Sequence, residues 1–206
     1  MGGDHCRNSD GRPSLRTDTS FALVPPAEYF ASHPQWFAGT GPSKHSDGTS
    51  AGNQLCWANR SLLAFVAKRA ITFLARDPSA TVISVSQMDG AGPCNRSADY
   101  AIYQEEQSWS GPLLRGVNFV ADAVAAAFPN RSLTVETLAY RYTRAPPRIT
   151  RPRPNVVVRL CDIEVGFGRP IRNHSNVHST NFSRDLAAWA AVSNRTWVWT
   201  CKQHIT

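Results

Sequence analysis

The run Val156-Val157-Val158-Arg159-Leu160-Cys161 is nearly continuous in apolar residues, the composition of a strand covered on both faces. It delivers a carboxylate, Glu164, just as it ends. A second strand-like run, Leu133–Tyr142, precedes it, and the 12-residue join Thr143–Pro154 between them is too rich in proline to be helical. A buried strand with an acid at its C-terminal lip points to an α/β architecture.

The remaining segments fit that frame. Arg60–Arg76 reads as a helix, with Asn59 as N-cap and Leu62, Phe65, Val66, Ile71 and Phe73 or Leu74 on its inner side. Asp77-Pro78 stops it, and the β-branched run Thr81–Ser86 follows, ending in Gln87-Met88-Asp89-Gly90. The stretch holding Cys94 and Glu105-Glu106 shows no apolar periodicity and reads as a loop. A second helix is expected from about Gly111 to Phe128, where Leu113, Val117, Val120, Val124 and Phe128 recur on one face. Gly166–Phe182 reads as a loop, Arg184–Val192 as a short helix and Thr196–Cys201 as a final strand. This alternation predicts a parallel sheet with right-handed crossovers and all strand C-termini on one rim. The helix-free join leaves a local antiparallel pairing open.

At 206 residues the chain has room for one domain with a substantial core. Residues 1–20 are polar and aperiodic, and read as a disordered or misassigned leader. No apolar run reaches the roughly 18 residues of a membrane span. The five cysteines lie far apart without a C-x-x-C, which indicates no zinc site and at most a partial disulfide framework. Six N-x-S/T sequons, at Asn59, Asn95, Asn130, Asn173, Asn181 and Asn194, exceed the roughly two that composition gives and point to a secretory history. Asn59 and Asn130 equally suit cap and turn positions.

If the strands are parallel, Asp89, Tyr142, Glu164 and the end of Trp197–Trp199 share one rim. Two carboxylates facing a cleft can serve as general acid with base or nucleophile in glycoside cleavage. Tyr140, Tyr142, Trp109 and Trp199 can offer flat surfaces to a sugar ring. The net charge of +7 concentrates in Arg144, Arg148, Arg151, Arg153 and Arg159, which reads as an anion site or as a solvated basic loop. Arg159, within an apolar strand, needs a buried partner, and Glu136 or Asp162 can supply it. His174 and His178 have metal-like spacing but no third ligand, so no metal and no cofactor is expected.

The segments LVPPAEYFASHPQWF, NQLCWAN, VISVSQMDG, SGPLLRGVNFVADAVAAAFP, LAYRYTRAPPRITRPRPNVVVRLCDIE and WVW resemble successive motifs of the family known as domain of unknown function 4838. These are glycoside-hydrolase-like barrels. The resemblance covers about residues 21–199 and implies a sugar site at Asp89 and Glu164, beside Gln87, Tyr140, Tyr142 and Arg159. Departures are Met88 where the family has Asn, Arg96 and Asp99 where it has cysteines, Val165-Gly166 in place of cysteines, and Arg169 in place of a histidine. Thr200 stands where the family has an acid after Trp-Val-Trp.

The expectation is therefore a partial (β/α)8 barrel of the TIM type, incomplete and finished by further barrel segments, since a closed barrel takes eight strands and about 250 residues. Its expected function is carbohydrate-active: Asp89 and Glu164 catalytic, with Gln87, Tyr140, Tyr142, Arg159 and Trp199 binding a uronic-acid-containing or N-acetylated glycan. A non-catalytic glycan-binding module is the alternative. An anionic-polymer binder using the arginine stretch is the weaker one, and no nucleic acid is expected as partner.

Overall fold

In the computed structural model of the chain, the structure describes residues 22–39, 43–44, 50–51, 54–88, 92–162 and 177–199. Four strands form one sheet: β1 (Val82–Ser84), β2 (Thr134–Ala139), β3 (Val156–Cys161) and β4 (Thr196–Trp199), in that spatial order. Every neighbouring pair is parallel, with Ser84 opposite Glu136, Leu138 opposite Arg159 and Arg159 opposite Trp197. The antiparallel alternative for β2 and β3 is not adopted. Strands in sequential order, with parallel pairing throughout, place the C-terminal ends of all four at the same rim.

Helix α1 (Arg60–Arg76) begins where Asn59 Oδ1 accepts the Leu62 amide at 3.1 Å. It ends at Asp77, whose carboxylate takes the Ser79 amide at 3.0 Å, and Arg131 then collects the carbonyls of Leu74 at 2.8 Å and Ala80 at 2.8 Å. A guanidinium thus satisfies carbonyls that a helix C-terminus leaves open. Helix α3 (Ser110–Ala127) buries Leu113, Val117, Val120 and Val124 as the periodicity predicts. It packs so closely on α1 that a Cβ at Gly116 would meet Trp57 Cε3 at 2.8 Å and Leu63 Cδ2 at 3.0 Å.

Two expectations are corrected. The stretch read as a loop before α3 contains helix α2 (Ser97–Glu106), closed by Gln107 in the left-handed region at φ 54°. Its buried positions are Asp99 and Glu106, while Tyr100 is exposed. A helix that buries acids rather than apolar side chains carries no apolar period to read. The last helix, α4 (Val177–Val192), starts earlier than expected and takes in residues assigned to a loop.

Side chains on a strand alternate between faces. Ile83, Val135, Ala139, Val156, Val158 and Leu160 lie on one face and share a single core with Leu62, Val66 and Leu74 of α1, Leu113 to Val124 of α3, and Phe182 and Trp189 of α4. The three helices therefore cover the same face of the sheet. The opposite face carries Ser84, Glu136, Arg159, Trp197 and Trp199.

The helix-free join between β2 and β3 is held by side chains instead. Asn118 of α3 donates to the Arg151 carbonyl at 2.8 Å and accepts the Arg153 amide at 3.0 Å. Ser108 and Ser110 donate to the Ala145 carbonyl at 2.7 and 2.6 Å, and Glu106 grips Ile149 and Thr150. Among the described residues no helix is long and apolar enough to cross a membrane.

Cys56 and Cys94 form a disulfide, with Cα atoms 5.1 Å apart across a sequence separation of 38. Cys161 is buried, as its place in the strand predicts. Closing a loop of this length contributes about 4 kcal/mol. Cys56→Ser with Cys94→Ser should accordingly lower the unfolding midpoint by roughly 8–16 °C, measured by thermal denaturation without reductant. An unchanged midpoint would remove the crosslink from the account.

Candidate functional site

The segments leaving β1 and β2 are knitted together at the C-terminal rim. Gln54 holds the backbone of Met88 from both sides: its Nε2 donates to the Met88 carbonyl and its Oε1 accepts the Met88 amide at 3.0 Å. Tyr142 donates its hydroxyl to the same Oε1 at 2.8 Å. Thr143 donates to Gln87 Oε1, and accepts the Tyr140 amide at 3.1 Å. Gln54, Gln87 and Thr143 are fully buried.

Two polar atoms in this layer have unused hydrogen-bonding capacity. Among the described residues Gln87 Nε2 and Ser84 Oγ are buried without a partner, which costs about 1–3 kcal/mol per group. Ser84 stands opposite Glu136 in the sheet register. One strand further, Arg159 pairs with Glu136 at 2.6 Å, both largely buried. Its guanidinium lies 5.6 Å from the Trp197 ring centroid and 5.9 Å from that of Trp199. The partner that Arg159 was expected to need is thus Glu136, and Trp199 joins it across the strand.

Of the sequence-predicted residues, the structure brings together Gln87, Tyr140 and Tyr142 through Thr143 and Gln54, and Arg159 with Trp199. Asp89 and Glu164 lie outside the described residues, as does His174; His178 falls on α4. In sequence Asp89 follows β1 and Glu164 follows β3. Trp109 stacks on Tyr103 with centroids 4.2 Å apart, and Tyr140 contacts Arg141 instead. Gln54 and Thr143 were not singled out by sequence. Their partners lie 34, 56 and 88 positions away, and no local pattern encodes such pairings.

The arginine stretch is tied into the fold. Arg144 pairs with Asp185 at 2.8 Å and Arg153 with Asp122 at 2.9 Å. Arg151 donates to the carbonyls of Arg148 and Ile149 at 3.1 and 3.0 Å. These contacts brace the proline-rich join.

Behind the rim, burial raises Asp99 from 3.8 to about 6, against the amides of Ala58 and Trp57 that favour its charged form. Burial, and then the charge of Asp99, push the Tyr142 hydroxyl upward. The folded state therefore holds the Asp99 proton more tightly than the unfolded chain. Its contribution to stability falls as pH rises from about 4 through about 6, by at most about 3 kcal/mol. Asp99→Asn should raise the unfolding midpoint at pH 8 by several degrees and leave it nearly unchanged at pH 4. A lower midpoint at pH 8 would contradict this.

Fold and rim together define an α/β protein with a parallel sheet, helices α1, α3 and α4 packed on one face, and polar groups and tryptophans on the other. The chain belongs to the family described as Domain of unknown function (DUF4838), whose profile matches residues 5–206. No curated protein matches it.

Proposed function

We propose that the chain is the parallel-sheet part of a (β/α)8-type barrel that acts on glycans, with Asp89 and Glu164 as its acid/base or nucleophile pair. The observation that carries this reading is the strand order, β1-β2-β3-β4 in sequence and parallel throughout. A doubly wound sheet reverses its strand order and receives helices on both faces. Sequential order with right-handed crossovers keeps the helices on one face, and this is how a barrel begins. The opposite face, with Ser84, Glu136, Arg159, Trp197 and Trp199, then corresponds to the barrel interior.

The spacing supports the chemistry. β1 and β3 flank β2, so their ends stand about 10 Å apart. Side chains reaching from such ends can bring two carboxyl groups within the roughly 5–9.5 Å used by retaining and inverting glycosidases. Trp199 offers a flat apolar surface to a sugar ring. The Cys56–Cys94 disulfide and the sequons support folding in an oxidising, secretory compartment.

The test is to incubate the protein with uronic-acid-containing and N-acetylated glycans and measure reducing-sugar release together with binding. Release supports the hydrolase. Saturable binding without release moves the reading to a glycan-binding module, and neither binding nor release rejects both.

A further inference from the structure

Three metal-ligating side chains from separate segments meet outside the rim. Cys56 precedes α1, Cys94 lies in the connection after β1, and Asp99 sits in the first turn of α2. One sulfur from each cysteine and one oxygen of Asp99 all lie within 4.8 Å of one another. Their exposures are 1%, 3% and 2%, so these are not surface groups that happen to cluster. The Asp99 carboxylate is held in place by the Ala58 amide at 3.1 Å, from the same turn that carries Cys56. Among the described residues no lysine or arginine forms an ion pair with it. A buried carboxylate without a cation is costly.

We propose that, once the disulfide is reduced, Cys56, Cys94 and Asp99 form a binding site for a zinc-class divalent cation. Two thiolates and one carboxylate select a borderline-soft ion over calcium or magnesium. Tetrahedral zinc with thiolates at about 2.3 Å sets its ligand atoms roughly 3.5–3.8 Å apart. The three donors already lie within about an ångström of that separation, apart from the two sulfurs, which must part. A closed disulfide and a bound cation are therefore mutually exclusive.

The conversion balances with a dithiol as reductant. One dithiol sulfur attacks the disulfide to give a mixed disulfide, and its second sulfur closes the dithiol's own disulfide. Two electrons pass to the Cys56–Cys94 pair, which leaves as two thiols carrying the dithiol's protons. The cation then displaces those two protons, and water completes its coordination. The same segments stay crosslinked, by metal in place of the sulfur–sulfur bond.

The experiment reduces the full chain with a non-chelating phosphine and titrates it with cobalt(II) as the spectroscopic probe. One cobalt per chain is expected, with a thiolate-to-metal band and the visible absorption of tetrahedral cobalt, both displaced by zinc. Cys94→Ser should abolish the bands, and Asp99→Asn should weaken cobalt at least about tenfold. A chain with Cys6→Ser, Cys161→Ser and Cys201→Ser should keep them. Circular dichroism reports whether each reduced variant is folded, and regain of structure on adding cobalt also supports the site. Absent bands, bands insensitive to Cys94→Ser or Asp99→Asn, or a reduced chain that stays unfolded with cobalt would overturn the proposal.

Discussion

Glu106→Ala should destabilise the protein by about 4–5 kcal/mol, lowering its unfolding midpoint by roughly 10 °C or more. The Glu106 side chain is fully buried and gathers five hydrogen bonds. They come from the amides of Ile149 at 2.8 Å and Thr150 at 3.0 Å, the Thr150 hydroxyl at 2.5 Å, and Arg115 at 2.6 and 3.0 Å. Burial alone would push this carboxyl up, but Thr150, Ile149 and Arg115 together hold it down at about 2. Its folded value lies below its unfolded one of 4.5. The stabilisation, about 3 kcal/mol from this linkage, is full above pH 4.5 and is lost as pH falls through about 2.

Truncation also leaves two amides without their acceptor and Arg115 with Glu105 as its remaining acidic partner. The proline-rich join would then lose the anchor that fixes it beside α2 and α3. Denaturant unfolding at pH 7 and pH 3 measures the effect, and Glu106→Gln should flatten the acid limb. Gly111 depends on the same side chain, since a Cβ there would stand 2.5 Å from Glu106 Cβ. A loss below about 1 kcal/mol at pH 7 would show that the join is held by other contacts.

Arg159→Ala should cost about 3–4 kcal/mol, because it removes the largely buried cation that pairs with Glu136 and lies over Trp197 and Trp199. Replacing both members of the pair, with Arg159→Met and Glu136→Leu, should recover most of that loss. Leucine and methionine fill comparable space and remove both members of the pair together. A double-mutant cycle in thermal unfolding reads the coupling directly. Additive single effects would mean that water, and not the pair, supports each charge.

Local chemistry carried the legible part of this fold. Asn59 and Asp77-Pro78 mark both ends of α1 within a few residues, and its bounds were predicted as they stand. The β-branched runs before Ser86, before Tyr142 and at Val156–Val158 identified strands, and alternation with helices predicted the parallel pairing of β1 with β2 and of β3 with β4, while the helix-free join left that of β2 with β3 open until the fold showed it parallel. Arg159 announced a buried acid because an apolar strand has no other use for a guanidinium.

What stayed hidden is non-local or inverted in polarity. α2 buries Asp99 and Glu106, so hydropathy reads it as a loop. Five cysteines allow many pairings, and only the fold brings Cys56 to Cys94. Arg148, Arg151 and Arg153 of the join are exposed, as a solvated loop implies, and the departure is Arg144, which is largely buried against Asp185 of α4. For Asp89 and Glu164, the parallel order of β1 and β3 supplies the argument, and the residues themselves lie outside the described ones.

The central claim is that the acids following β1 and β3 act together on one glycan, and the most direct measurement is turnover by Asp89→Asn and Glu164→Gln beside the parent protein. On a glycan that the parent cleaves, each variant should lose about 10²–10⁴-fold in kcat, with sugar affinity and unfolding midpoint essentially unchanged. Parent-level turnover in either variant would contradict the account.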